Sequence, residues 1–355
     1  MTEPRVLALH SIDLGVADPA AVATFFTDVW GLAPVAGDGD AAYLRGTGPN
    51  HHVMALHRRP RAEILRINLL AADRAGVDAL HAKIAGEGAA HGVADLTAAA
   101  PLTGPGGGYG FALRDGEGRN LAIVAGIARH ADTGDAPDRP RKLSHVVLNA
   151  DRPEAAVALF TDLLGFRISD RTRAHNFLRC GDAAAGPIDH HNIAIGNGGG
   201  ATLNHIAFEM PDLESVMRGS GACRDAGWPI EWGVGRHGPG DNVFAYFIGP
   251  EAIPIEYTAE VKQVDESYPT GVPSDWGWPP GRSDHWGITG PPSQRLKAAQ
   301  GAVGFGVTER QRVADFRKRL TGQLQRQRAF LDQLRRRHAV HHKGIHATKG
   351  RVLRN

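Results

Sequence analysis

Short stretches that alternate apolar and polar positions follow one another along this chain, separated by longer stretches with apolar residues three or four apart. Alternation puts side chains on opposite faces of a strand, and the wider spacing lines one face of a helix. LHSIDLGVADPAAVATFFTDVWGL (9–32) and SHVVLNADRPEAAVALFTDLLGF (144–166) share one plan. In each, a histidine opens an alternating strand, an Asp-containing turn follows, and an amphipathic helix carrying Phe-Thr-Asp stops near a glycine. ILRINLLAADRAGVDALHAKIAGEGA (64–89) matches LNHIAFEMPDLESVMRGSGACRDAGW (203–228) as strand then helix. FALRDGEGRNLAIV (111–124) matches AYFIGPEAIPIEYT (245–258) as hairpin against hairpin. The chain thus reads as duplicated, with two βαβββ units in each half.

This pattern predicts an α+β fold of two tandem modules, each built from paired βαβββ units that close into a barrel-like cup with helices outside and a polar interior. The expected divisions are an N-terminal module (1–130), the linker ADTGDAPDRPRK (131–142), a C-terminal module (143–262), a Trp/Pro-rich extension (263–307) and a basic helical tail (308–355). GDGD (37–40), GPGGGYG (104–110) and GNGGG (196–200) lack the Lys-Ser/Thr or following helix of a phosphate loop and read as turns. WGWPPGRSDHWG (276–287) reads as an ordered strap over the barrel or a subunit contact rather than a site, and His51, His52 and His285 as loop or solvated residues.

Composition narrows the partners. A chain of 355 residues with 42% hydrophobic content can bury a substantial core. Without a signal-like start or an apolar run of about 18 residues, a soluble, cytoplasmic protein with no membrane partner is expected. Cys180 and Cys223 are the only cysteines, which disfavours a disulfide framework or a thiolate metal site and leaves nitrogen and oxygen for any metal. The net charge of +2 conceals 14 Lys or Arg against 3 Asp or Glu in residues 308–355, so the body is acidic. Val313, Phe316, Leu320, Leu324, Leu331 and Leu334 line one face of that tail. Docking on the acidic body or on a second subunit of a homo-oligomer is expected, and nucleic acid is not.

Comparing the halves at equivalent strand positions exposes the candidate chemistry. The second half carries His145, His205 and Glu256, where the first carries His10, Arg66 and Ala122. Two imidazoles and one carboxylate from three strands are the ligand complement of the facial triad used in non-haem Fe(II) and oxygen chemistry. A metal also explains an acid between Ile255 and Tyr257 in GPEAIPIEY (249–257), since an unpaired carboxylate on a half-buried strand is costly. The first half cannot complete such a site, and His10 reads as its vestige. In DHHNIAI (189–195), strand parity alone does not choose between His190 and His191.

The module plan resembles the vicinal oxygen chelate superfamily, and the second half resembles its type I extradiol catechol dioxygenases, over about residues 5–290. SHVVL with His145, LNHIAFE with His205, GRHGPGDNVFAYF (235–247) and PIEY with Glu256 carry the resemblance. It implies Fe(II), or Mn(II) on the same ligands, at His145, His205 and Glu256. It assigns His191 to acid/base work on the oxygen side, has His237 and Tyr246 steady a deprotonated catechol oxygen, and has Asp241 orient them. The implied reaction is extradiol cleavage of a catecholic substrate by O2 to a muconic semialdehyde-type product. A glyoxalase- or epimerase-like metalloenzyme and a metal-free binding protein of the same superfamily are the alternatives. The former has no need of His191, His237 and Tyr246, and the latter no need of the triad.

Overall fold

The structure, a computed structural model, describes residues 3–37 and 41–306; the expected basic tail and most of GDGD lie outside the described residues. The first alternating segments form β1 (Ala8–Val16), helix α1 (Pro19–Asp28), β2 (Ala33–Val35), β3 (Ala42–Arg45), β4 (Met54–Arg58), β5 (Glu63–Leu70), α2 (Arg74–Glu87), β6 (Ala100–Pro101), β7 (Tyr109–Arg114) and β8 (Asn120–Ala125). There follow β9 (Lys142–Ala150), α3 (Pro153–Ala158), β10 (Arg167–Arg171), β11 (His175–Arg179), β12 (Ile188–Asp189), β13 (Ile193–Glu209), α4 (Leu213–Asp225), β14 (Trp232–Arg236), β15 (Val243–Ile248), β16 (Pro254–Ala259), β17 (Gln263–Val264) and α5 (Gln294–Ala299). The Asp-containing turns cap helices. Asp18 Oδ1 accepts from the amides of Ala20 and Ala21, Asp73 caps α2 and Asp212 caps α4 in the same way.

The N-terminal sheet runs β2-β3-β4-β1-β5-β8-β7-β6. In the second half β13 doubles back at Gly198, Gly199 and Gly200, whose φ angles of 95°, 84° and 75° suit glycine. Its first arm rises in register with β9 (Ile193 on Val146, Ile195 on Leu148), and its second runs the opposite way (Leu203 on Leu148, Ala207 on His145). β9 therefore lies between the two arms. With the arms counted separately, β10-β11-β13-β9-β13-β16-β15-β14 repeats the strand order of the first sheet.

Alternation sorts each C-terminal strand into two faces. Val146, Leu148, Ile206, Phe208, Phe247, Ile255 and Tyr257 enter the apolar core beneath the helices, and His145, His205, Tyr246 and Glu256 occupy the intervening positions. Gly219 of α4 permits that packing, because a Cβ there would lie 2.8 Å from Tyr257 Cε2. The extension is ordered beside this sheet, its strand β17 forming a separate two-stranded sheet with β12. Gly271 bridges to Asp170, and α5 packs on β15. No helix among the described residues is long and apolar enough to cross a membrane.

One aromatic pair ties the halves together. Trp30, just beyond α1, stacks on Tyr257 with ring centroids 3.6 Å apart and planes 10° apart, and its carbonyl accepts from Tyr257 Oη at 2.9 Å. Both side chains are fully buried, and Phe208 and Phe247 pack edge-on to the same indole. Trp30→Ala should therefore cost about 3–5 kcal/mol of stability, read as a lowered urea midpoint at unchanged slope. A midpoint at the wild-type value would show that the halves do not depend on this contact.

Candidate metal centre

His145 comes from the middle of β9, His205 from the second arm of β13 and Glu256 from β16. The ladder sets Ala207 beside both His145 and Glu256, so the three side chains meet on one face of adjacent strands. One nitrogen or oxygen from each lies within 4.8 Å of the others, and all three residues are buried. Glu256 Oε2 is 3.3 Å from His145 Nε2 and 3.0 Å from His205 Nε2.

The donor set fits a divalent cation better than it fits itself. Asn204 Oδ1 lies 2.9 Å from His205 Nδ1, and a carbonyl can only accept, so the proton sits on Nδ1 and His205 Nε2 turns a lone pair toward Glu256. Nε2 of His205 and Oε1 of Glu256 are accordingly buried with no hydrogen-bond partner. Two acceptors facing each other without a proton are stabilised by a shared cation. Burial works to raise the Glu256 pKa, but the imidazoles of His145 and His205 outweigh it and hold the carboxyl well below the usual range. Burial lowers His205 despite the opposing carboxylate, which keeps it as the neutral ligand form.

Three further predicted residues surround this cluster. His237 Nε2 is 3.0 Å from Tyr246 Oη and 3.8 Å from Glu256 Oε1. Burial pulls His237 down to about 4 and pushes the Tyr246 phenol well above its ordinary value, so the pair is uncharged at neutral pH. The His191 ring stands 4.4 Å from that of His145, and burial followed by the neighbouring histidines holds it well below the ordinary imidazole value. His145, His205, His191, His237 and Tyr246 all line one cavity of about 420 Å³. His190 does not, and turns the other way to Asp170. Asp241 does not orient His237 or Tyr246, since its side chain points to His285 at 3.3 Å.

Residues with no assigned role also line the cavity. Trp276 and Trp278 form part of its wall, so the Trp/Pro-rich strap is part of the site rather than only a cover. His285 is exposed, as expected, and packs edge-on against Trp278. His175 of β11, Asn204 and Trp232 complete the wall. Asn204, adjacent to His205 in LNHIAFE, was readable as the partner that fixes a ligand tautomer. The two strap tryptophans had no local signal.

The first half holds a cavity of about 400 Å³ at the corresponding place, lined by His10, His52, Arg66 and Ala122 among others. His52 lies in the loop before β4, as read, and is buried there. Arg66 is paired with Asp13 at 2.7 Å, and Asn68 donates to Asp13 and Ser11. Among the described residues, only His145, His205 and Glu256 form a candidate metal cluster.

Residues 142–257 match the family model of the Glyoxalase/Bleomycin resistance protein/Dioxygenase superfamily. The chain is 36% identical to the Mn(II)-bound glyoxalase from Novosphingobium aromaticivorans, with 82% of this chain and 94% of that one covered and a TM-score of 0.73. It is 32% identical to Metapyrocatechase 2 of Cupriavidus necator over 142 residues, which is 40% of this chain and 41% of that one. The match thus spans about two fifths of that relative's length. Homoprotocatechuate 2,3-dioxygenase from Brevibacterium fuscum, solved with 3,4-dihydroxyphenylacetate, shares the fold at 21% identity and a TM-score of 0.71 over 83% of this chain and 92% of that one. The second-half cluster, the cup around it and a relative matched over nearly its whole length agree: the chain belongs to the glyoxalase/bleomycin resistance protein/dioxygenase superfamily.

Proposed function

We propose that this chain is an extradiol ring-cleaving dioxygenase, which opens a catecholic ring beside its two hydroxyls with O2. His145, His205 and Glu256 would hold Fe(II), with Mn(II) accepted by the same ligands. This reading treats the two sheets as tandem modules, the first without a metal site. The observation that carries it is the gathering of His191, His237 and Tyr246 in the cavity that His145 and His205 line. A cation bound there would supply Lewis acidity to two adjacent diol oxygens and a path for electrons between ring and O2.

The chain's own groups supply the rest. The aromatic walls, Phe177, Trp232, Trp276 and Trp278, suit a planar ring, and about 420 Å³ is within the usual range of about 300–1,000 Å³ for small-molecule sites. His237, neutral at pH 7, accepts hydrogen bonds or a proton, and Tyr246, kept protonated, donates to negative charge that develops on a substrate oxygen. His191, also neutral, is the remaining buried proton acceptor in the cavity wall close to the triad. Burial of these groups keeps water from competing for the same hydrogen bonds.

The likeness to a Mn(II)-bound glyoxalase favours a second reading, metal-dependent turnover without O2. Anaerobic loading with Fe(II) or Mn(II), followed by a panel of substituted catechols, separates the two. Ring cleavage requires O2 uptake in step with a coloured ring-fission product. Metal-dependent turnover of other substrates with no oxygen consumed would leave the second reading standing alone.

Glu256→Gln keeps the shape and removes the anion, so metal affinity should fall by more than the roughly 10–100-fold typical of losing an outer hydrogen-bond partner. Metal analysis after gel filtration checks this, and a fully loaded variant with normal turnover would remove Glu256 from the ligand set. His10→Gln should leave one metal per chain, because Arg66 and Ala122 complete no second site. His191→Asn should retain metal and catechol while kcat falls about 10²–10⁴-fold, the usual scale of general acid–base catalysis. If this variant instead loses its metal, His191 is a ligand.

A further inference from the structure

The first half keeps a cup of about 400 Å³ that the proposed reaction does not use. That volume is within the usual range of about 300–1,000 Å³ for small-molecule sites. Two kinds of polar group line it. Arg66 pairs with Asp13 Oδ2 at 2.7 Å, while Asn68 donates to Asp13 Oδ1 at 2.9 Å and to Ser11 Oγ at 3.0 Å, so these four side chains answer one another. His10 stands apart. It lines the cup, is 5% exposed, and has its Nε2 buried without a hydrogen-bond partner. A ring nitrogen in that position has given up water for nothing in return, and a ligand that bonds to it recovers the loss.

The chemistry of such a ligand follows from the charges and the walls. Burial lowers His10 to about 3 and His52, which lines the same cup, to about 4, so both rings are neutral at pH 7. A neutral imidazole nitrogen is either a bare acceptor or an N–H donor, and a hydroxyl meets both forms. A carboxylate meets only the N–H, and an ammonium only the bare nitrogen. Arg66 and Asp13 already balance each other, so a charged ligand would bring a third charge into the cup without a partner of its own. Leu102, Phe111, Val124 and Ile127 supply apolar wall, and Ala112 and Ala122, paired across β7 and β8, leave room for a ring.

We infer that the first-half cup is a second binding site, for an uncharged small molecule with an apolar ring and a hydroxyl, and that His10 Nε2 is the group that bonds the hydroxyl. A phenol is the simplest member of that class. The inference is independent of ring cleavage in the second half, because neither the triad nor O2 enters it. It also gives the glycine run at 104–110 a place, since Gly104, Gly107 and Gly110 line the same cup without adding side chains to it.

Fluorine NMR of the full chain titrated with 4-fluorophenol reads occupancy directly, and this monophenol lacks the second hydroxyl of a catechol. A saturable bound signal is expected. Ala122→Leu fills the first cup and should remove that signal; any that survives belongs to the second half, and Ala112→Leu serves the same purpose if Ala122→Leu does not fold. Fluorobenzene, 4-fluorobenzoate and 4-fluorobenzylamine should each bind this site about tenfold more weakly than 4-fluorophenol, the scale of one hydrogen bond. His10→Phe keeps a ring and removes its nitrogens, so it should weaken 4-fluorophenol about tenfold and erase its advantage over fluorobenzene. A cup that gives no saturable signal holds only solvent and overturns the inference. So does 4-fluorobenzoate binding as tightly as the phenol, or a phenol affinity unchanged in His10→Phe. If His10→Phe does not fold, the ranking of the four probes on the wild-type chain decides. None of these measurements needs turnover, so absence of ring cleavage would defeat the functional reading and leave this site standing or falling by itself.

Discussion

The structure turns on one buried negative charge. Glu256 is inaccessible to solvent, between two apolar neighbours on a strand whose other face supports the aromatic contact between the halves of the chain. A carboxylate in that position is tolerated only with close positive or metal partners, and removing a partner from a buried pair typically costs about 3–5 kcal/mol. The protein brings three imidazoles within 4 Å of it, from β9, β13 and the loop after β14. Two of those histidines, however, are held as neutral rings by burial. The arrangement is therefore one of ligands awaiting a cation more than one of ion pairs.

The first half shows the same backbone solving the same position differently. Arg66 stands in the strand position of His205, and its guanidinium pairs with Asp13 across β1 and β5. Asn68 supplies Asp13 and Ser11 with a further donor. Apart from His10 Nε2, which is buried without a hydrogen-bond partner, Arg66, Asp13, Asn68 and Ser11 satisfy one another on this inner face. Ala122, opposite Asn68 where Ala207 faces Glu256, offers no ligand at all. Equal strand order thus gives two cups of similar volume and different chemistry, the difference being set by three side chains.

Much of this was legible in the sequence because it is local or periodic. Alternation in SHVVLNA, LNHIAFE and PIEYTA already divided core-facing from inward positions, and the duplication aligned the odd histidines with their non-ligating counterparts. The glycine run at 196–200 read as a turn, and its three positive φ angles reverse β13. The remainder rests on contacts between distant segments. Nothing near Trp276 or Trp278 marks them as cavity wall; their place depends on the extension running back over the sheet, with Gly271 meeting Asp170 across 101 positions of sequence. Asp241 misled for the opposite reason, being near His237 in sequence while its positive-φ backbone carries the side chain outward to His285.

The adjacent histidines of DHHNIAI show why parity could pose a question that it could not answer. His190 and His191 lie in the bend between β12 and β13 and not on a strand, so alternation does not sort them. Which of them faces the cup is set by that bend, anchored where Asn192 O accepts from the Val146 amide and the Asn192 amide donates to Leu178 O. The outward histidine would be an expensive buried imidazole with nothing to do unless something met it. Asp170 does, itself held by a backbone amide and a phenol of the extension. The extension thus helps to hold a carboxylate whose hydrogen-bonded chain runs through His190 to His191 in the cavity wall.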